Sequence, residues 1–376
     1  MGADDARSDE PGLWLAALRR GVCAGLWASA GVAVRAHEAQ RGGAVRVLAG
    51  DIGGTNARLA IVDVDGRRAR VEGEQRFASQ DAPGLAPLVR RFLGEAGRSL
   101  EWACFAVAGR VIDGVARTSN LPWTIDEREL AAAIGIAHTS VINDFDAVGH
   151  GLALLGPKDV ETIQEGEPIA HGPVALIGAG TGLGEAFLSW DGGRYRVHPS
   201  EGGHAEFAAR DQVEWELRRS LQDEFGRVSG ERVVSGPGLI AIYRHLAAAG
   251  SVVENDAVRA EMGRQDPAAV IVQHGLDGTD PLCAAVLDRF TSLLGALAGD
   301  LALTVLATGG VFVAGGIAPR IVTQLRTGPF LAAFRAKGRL SAFMLGVPVR
   351  VITNPNVGLL GAAAVAAERC RAEMSP

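Results

Sequence analysis

The sequence predicts two α/β domains, and three observations carry that class. Buried strands and helices alternate from Ala44 onward. A polar stretch holding Gly and Pro, Gln164–Pro173, interrupts the alternation and reads as a domain boundary. The strand–turn–strand unit Val47–Asn56 is echoed about one domain later by Ala175–Gly184. The length agrees, since 376 residues at about 150 per domain make two or three domains.

In chain order, the apolar run Val45–Ala49 is a buried strand and Arg58–Val64 a second, followed by an Asp65-Gly66 turn. Leu85–Ala96 has helical spacing of apolar residues. Trp102–Ala108 and Val111–Ala116 read as strands. Thr124 with Glu127 makes a capping box that opens a helix through Ile134. Val141–Asn143 is a strand ending at Asp144, and Ala147–Leu155 a helix. Past the boundary, Val174–Ile177 is again a buried strand. Ala186–Trp190 and Arg194–His198 flank Asp191-Gly192-Gly193 as a hairpin. Asp211–Phe225, Gly238–Ala249, Pro267–His274 and the long apolar Pro281–Ala307 read as helices. Val311–Ala314 is a strand, Ala318–Arg326 a helix, Val347–Ile352 a strand and Val357–Arg371 a closing helix.

Composition excludes several function classes. Apolar residues make up 48% and charged residues 21%, so a large core is available. Lys+Arg 37 against Asp+Glu 43 gives a net charge of −6 with no basic block, which argues against nucleic-acid binding. Four cysteines, without a CxxC pair, argue against a disulfide framework or a cysteine-built zinc site and fit a reducing, cytoplasmic compartment. Only Lys158 and Lys337 are lysines. Lys158 follows Pro157 and Lys337 precedes Gly338, so neither belongs to a GxxxxGK[ST] phosphate loop. The 50 glycines, about twice the average share, call for tight turns or close backbone approach to a ligand.

Residues 1–44 differ from the rest. Their start is polar and acidic, and the apolar run Gly21–Val34 is too short for a membrane span of ~20 residues. The segment reads as a mobile or loosely helical extension, so no membrane partner is expected. A surface helix, an export signal and a start-site artefact are the alternatives.

The two glycine turns are the first candidates for chemistry. Gly50-Asp51-Ile52-Gly53-Gly54-Thr55-Asn56 lacks the GxGxxG spacing, and its continuation alternates as a strand. Gly178-x-Gly180-Thr181-Gly182-x-Gly184 also misses that spacing and leads into a hairpin. Such strand–turn–strand units suit phosphate binding, because glycine lets backbone N–H groups approach anionic oxygens and Thr55 and Thr181 add hydroxyls. Without a lysine, neutralisation falls to Mg²⁺, the backbone dipoles and Arg58. Asp51 is placed to hold a hydrated Mg²⁺. Two ordinary hairpin turns are the plain reading, but their echo favours a shared ligand.

Polar residues supply the second half of a site. Asn143-Asp144-Phe145 lies at the C-terminal end of a strand, the usual ligand rim of open α/β sheets, although Asp144 could simply cap the helix that follows. Ser200-Glu201-Gly202-Gly203-His204 joins an acid, two glycines and a histidine in one loop, chemistry that suits a hydroxyl-rich ligand such as a sugar. Glu231 precedes a Gly-Pro turn feeding a helix. Thr118–Trp123 is a polar loop whose Trp123 either lines a sugar pocket or sits in the core. Gly309-Gly310 and Gly315-Gly316 flank a buried strand, which offers either a flat surface for a nucleotide base or a tight strand–helix joint.

These motifs together resemble bacterial glucokinases, the non-ROK group of the hexokinase and actin-like ATPase superfamily. The matching stretches are Gly50–Leu59, Val141–Phe145, Gly178–Gly184, Glu201–His204, Glu231–Leu239 and Val313–Arg320, in the family's order from about Val45 to Ala367. The cysteine-rich zinc motif of ROK sugar kinases is missing. The resemblance implies two RNase-H-like domains closing over a cleft, the smaller from 45–153 plus 346–376 and the larger from 154–345. It implies phosphoryl transfer from ATP with Mg²⁺ to the 6-hydroxyl of glucose, and it leaves a homodimer open. Asp144 corresponds to the catalytic base. Asn120, Asn143, Asp144, Glu201, His204 and Glu231 correspond to glucose ligands. Gly50, Asp51, Ile52, Gly53, Gly54, Thr55 and Asn56 form the first phosphate segment, Gly180, Thr181 and Gly182 the second, and Gly315 and Gly316 the adenosine contact. Two rivals stay open. One is a kinase of another hexose or with another phosphoryl donor such as polyphosphate. The other is a non-catalytic sugar-responsive regulator on the same scaffold.

Overall fold

The computed structural model describes residues 43–94, 100–118, 121–250 and 252–374. The first half begins with β1 (Val45–Ile52), β2 (Asn56–Asp65) and β3 (Arg68–Ala78), then α1 (Leu85–Leu93) and β4 (Trp102–Val107). A small sheet of β5 (Gly109–Ile112), β6 (Val115–Thr118) and β7 (Thr124–Asp126) precedes α2 (Glu127–Ile134), β8 (His138–Asn143) and α3 (Asp144–Gly151). The main sheet runs β3-β2-β1-β4-β8, antiparallel across the two hairpins and parallel from β1 through β4 to β8.

The second half holds β9 (Val160–Gln164), β10 (Val174–Ala179), β11 (Leu183–Trp190) and β12 (Tyr195–Ser200). Helices α4 (Gln212–Phe225), α5 (Gly236–Ala248), α6 (Pro267–Asp277) and α7 (Pro281–Thr304) follow, then β13 (Gly310–Ala314), β14 (Val349–Ile352) and α8 (Val357–Met374). The sheet order is β12-β11-β10-β13-β14-β9. Its β10–β11–β12 hairpins and its parallel β10–β13–β14 run repeat the plan of the first sheet. The sequence echo therefore reflects two sheets of one design, with Asp51 opposite Arg58 in one and Gly178 opposite Gly184 in the other.

Burial explains both sheets. The inner strands β1, β4 and β10 are near-continuous apolar runs, covered on both faces as parallel pairing demands. On one face of the first sheet, Leu359, Ala362, Ala363 and Ala366 of α8 meet Val47, Ala49, Cys104 and Ala106. The small residues of α8 let it lie close on the strands. Helix α7 is apolar and long enough to cross a membrane, but Leu282, Val286, Phe290, Leu293 and Leu294 are buried in the core of the second half.

Several expectations need correction. Strand β3 is an exposed edge strand whose polar sequence lacks apolar alternation, so nothing in the pattern marked it. Val111–Ala116 is not one strand, because Asp113 and Gly114, at φ 51° and 77°, turn it into the β5–β6 hairpin. Thr124 lies in β7, and the cap of α2 is Asp126, which accepts from the N–H groups of Arg128 (2.8 Å) and Glu129 (3.1 Å). The stretch Gln164–Pro173 begins inside β9, which pairs with β14 in the second sheet. Strand β14 also belongs there, so of 346–376 it is α8 that packs on the first sheet.

The chain crosses between the sheets twice, through 152–159 after α3 and through 353–356 before α8. Asp159 laces the crossings together. Its carbonyl accepts from Thr353 N (2.8 Å) and Asn354 N (3.3 Å), and its Oδ1 accepts from Asn354 Nδ2 (2.9 Å).

Candidate active site

The parallel strands β1, β4 and β8 end together, and β10 and β13 end in the same way in the second sheet. Asp51, Asn143, Asp144, Glu201 and the turns holding Gly53, Gly180 and Gly315 lie at these C-terminal ends.

In the first turn, Gly53 N donates to Asn56 O at 2.9 Å and closes the loop between β1 and β2. Ser79, fully buried after β3, holds it from below: its N–H donates to Thr55 O (2.9 Å) and its hydroxyl to Gly53 O (2.8 Å). The sequence reading missed this brace because it missed β3. Asp51 sits in the last turn of strand beside Gly358, where a Cβ would fall 3.7 Å from its Cγ. Its recessed position raises its pKa, and the positive charge of Arg58 opposes the rise.

Arg58 is held by partners within the chain. Its guanidinium donates to Glu74 (2.8 Å), to Pro355 O (2.8 Å) and to Asn356 Oδ1, and stands 4.0 Å from Asp51. It is committed to the crossing before α8. Among the described residues no group of three or more His, Cys, Asp or Glu forms a cation cage. The hard carboxylate of Asp51, partly exposed and with no side chain on the neighbouring Gly358, fits an ion that keeps most of its waters, such as Mg²⁺.

Asp144 is the first residue of α3, and the helix is capped one residue earlier. Asn143 Oδ1 accepts from Phe145 N (2.8 Å) and Asp146 N (3.2 Å), while its Nδ2 donates to Gly109 O (3.0 Å). The capping explanation for Asp144 therefore fails. Its carboxylate takes one further bond, from Phe145 N at 3.0 Å. Its pKa is pushed up to about 6, chiefly by burial and next by the charge of Asp51, with Glu201 adding to the rise. Asp51, Asp144 and Glu201 thus share one electrostatic neighbourhood although they come from three separate elements.

Glu201, His204 and Glu231 also converge. Glu201 opens a single 3₁₀ turn, Gly202–His204. His204 Nε2 lies 3.8 Å from Glu201 Oε2, and its Nδ1 lies 3.9 Å from Glu231 Oε1. Glu201 and His204 are more than half exposed, at 57% and 56%, which leaves their polar atoms available to a ligand. The other oxygen of Glu231 accepts from Leu183 N (3.0 Å), tying this cluster to the end of the second glycine turn.

In that second turn, Gly180 N donates to Gly182 O (2.8 Å), and Gly180 O accepts from Gly236 N (2.8 Å) at the start of α5. Gly315, at φ +86°, passes against Ala179 so closely that a Cβ would lie 2.3 Å from the Ala179 carbonyl oxygen. Gly315 and Gly316 thus adjoin the turn that holds Gly180, Thr181 and Gly182. Gly309 and Gly310 lie at the other end of β13, against Gly172 and Pro348, and take no part. Trp123 is 4% exposed within the core of the first half, which removes it from a sugar pocket. Asn120 and residues 1–42 lie outside the described residues.

The sequence matches the family model Glucokinase over residues 48–369. It is 41% identical to a curated glucokinase of Nostoc punctiforme over 336 residues, covering 85% of this chain and 98% of that protein. Its fold matches the crystal structure of a glucokinase from an Antarctic psychrotroph at 34% identity and a TM-score of 0.73, covering 86% of this chain and 99% of the other. At 21% identity and a TM-score of 0.60 it also shares the fold of a ROK family glucokinase from Streptomyces griseus, solved with glucose and AMPPNP, over 86% of this chain and 99% of that one. With the matched region spanning both sheets and every element of the cluster, the chain belongs to the glucokinase family.

Proposed function

We propose that this chain is an ATP-dependent glucokinase, moving the γ-phosphoryl group of ATP to the 6-hydroxyl of glucose to give glucose 6-phosphate and ADP. The observation that carries the reading is the placement of Asp144: it follows the end of β8, level across β4 with Ile52 of the first glycine turn, and its neighbour Phe145 rests on Gly178 and Gly184 beside the second. The curated glucokinase relative at 41% identity supports this activity.

Each residue has a physical role in that reaction. A sugar hydroxyl is a weak nucleophile, and Asp144 orients it and takes its proton as the phosphoryl group leaves ADP. The raised pKa suits a group that must release its proton again near neutral pH. Glu201 and Glu231 accept hydrogen bonds from sugar hydroxyls, while His204 donates or accepts between them. Asn143 holds the start of α3, which fixes Asp144, and keeps one amide hydrogen free for the sugar. The N–H groups of Gly54 and Thr55 and of Thr181 and Gly182 face phosphate oxygens, those of Gly53 and Gly180 closing their own turns, and Gly315-Gly316 lines the nucleoside side. Mg²⁺, when bound with the nucleotide near Asp51, neutralises phosphate charge. Closure of the two halves excludes water that would otherwise compete as acceptor. Cys104, Cys283 and Cys370 are free and buried, which supports a cytoplasmic setting.

A coupled assay across sugars and donors tests the proposal. Turnover with glucose and ATP exceeding that with other hexoses and with polyphosphate is expected; a preference for another hexose or for polyphosphate overturns it.

A further inference from the structure

Three consecutive residues of β11 each support a different part of the site. Leu183 gives its N–H to Glu231 (3.0 Å), and its carbonyl oxygen lies 2.1 Å from where a Cβ on Gly203 would stand. Gly184 faces the ring of Phe145, the neighbour of Asp144. Glu185, on the same face as Leu183, lies under Gly202: a Cβ there would fall 2.0 Å from Glu185 Oε2. Both glycines of the Glu201–His204 turn are therefore seated on this strand, one on a backbone carbonyl and one on a carboxyl group.

Glu185 is otherwise hard to explain. It is 8% exposed, and no cation pairs with it among the described residues. The charged group that acts on it is Asp300 of α7, itself paired with Lys337 at 2.5 Å, and burial with that charge pushes the Glu185 pKa up to about 7. A lone buried carboxyl costs stability that an apolar side chain would not. It lies against Gly202 and is the cross-strand partner of Ser200, whose hydroxyl oxygen accepts from Gly202 N at 3.0 Å.

We infer that Glu185 is a positioning residue for the sugar-binding turn, setting through Gly202 where Glu201 and His204 present their polar atoms. The inference rests on the glucokinase reading and extends it to a residue that does not touch the substrate. An acid at this position fixes the height and tilt of the turn. An aliphatic residue would let the turn settle onto the strand.

The test uses the full chain with glucose and ATP, comparing wild type, Glu185→Ala, Glu185→Gln, Gly202→Ala and the double variant Gly202→Ala/Glu185→Ala. Glu185→Ala is expected to raise the glucose KM about tenfold, on the scale of one lost polar contact, while the ATP KM stays within about twofold. Glu185→Gln, which keeps shape and polarity, restores most of that loss. Gly202→Ala raises the glucose KM, and trimming Glu185 in the same chain relieves part of the increase, because the clash is with that carboxyl. An unchanged glucose KM in Glu185→Ala, or a parallel rise in the ATP KM, overturns the inference. If Glu185→Ala does not fold, Glu185→Asp, which draws the carboxyl back from Gly202, takes its place, and strict additivity of Gly202→Ala with Glu185→Asp in glucose binding overturns the inference. Wild-type chain without glucose turnover sinks the underlying reading, and the inference with it.

Discussion

The ring of Phe145 fills the space where a side chain on Gly184 would begin, with Cδ2 2.1 Å from the position of a Cβ. The contact joins the first turn of α3 to the second sheet and sits one residue from Asp144. Gly184→Ala is therefore expected to push the ring and its neighbour aside. Overpacking of this kind costs about 1–3 kcal/mol, and a small misplacement of a reacting group can lower kcat up to about 10²-fold. Urea unfolding and steady-state kinetics on the same preparation check both; unchanged kcat removes Phe145 from the placement of Asp144.

Asp144→Asn is expected to lower kcat by ~10²–10⁴-fold with the glucose KM changed little. Wild-type kcat/KM falls as pH drops through about 6, where Asp144 takes up its proton, and the variant loses that limb of the profile. Stability moves the opposite way. The folded pKa is raised above its ordinary 3.8, so the folded state binds more protons between about 4 and 6, and wild type loses stability as pH rises through that window. Asp144→Asn is then more stable than wild type above about pH 6, with the advantage gone below about pH 4. Melting temperatures at pH 4 and pH 8 decide it.

Glu231→Gln separates two jobs of one side chain. A glutamine oxygen still accepts from Leu183 N, so the anchor survives. The charge facing His204 does not. A rise of about tenfold in glucose KM places the carboxylate charge in sugar recognition, whereas an unchanged value reduces Glu231 to the anchor.

Gly315→Ala combines a left-handed backbone, disfavoured by roughly 1–2 kcal/mol for a non-glycine residue, with a Cβ 2.3 Å from Ala179 O. The expected result is a higher ATP KM with glucose binding intact. Nucleotide titration against glucose titration by calorimetry distinguishes the two.

Much of the site was legible in the sequence because its chemistry is local. A strand, a Gly-Thr turn and a strand can be read from a dozen residues, and both occurrences proved to be the corresponding turns of two similar sheets. Asp144 stood out at a strand end, although the residue that caps its helix is Asn143. The braces were not legible. Ser79 follows a polar edge strand with no periodic pattern, and it reaches the first turn only through tertiary pairing. Glu185 sits in a mostly apolar strand, and its partner Gly202 lies across a hairpin. The partners of Arg58 were hidden for the same reason, since Pro355 and Asn356 lie 297 and 298 positions away.

The lacing at Asp159 constrains how the halves can move. Two independent crossings would allow the lobes to twist and slide as well as to open. Fastened side by side, they behave as the spine of a book, and Arg58 pins one edge of that spine to the cover carrying Asp51. Any change in how the halves are set against each other must bend the chain at this spine or break one of the three hydrogen bonds to Asp159.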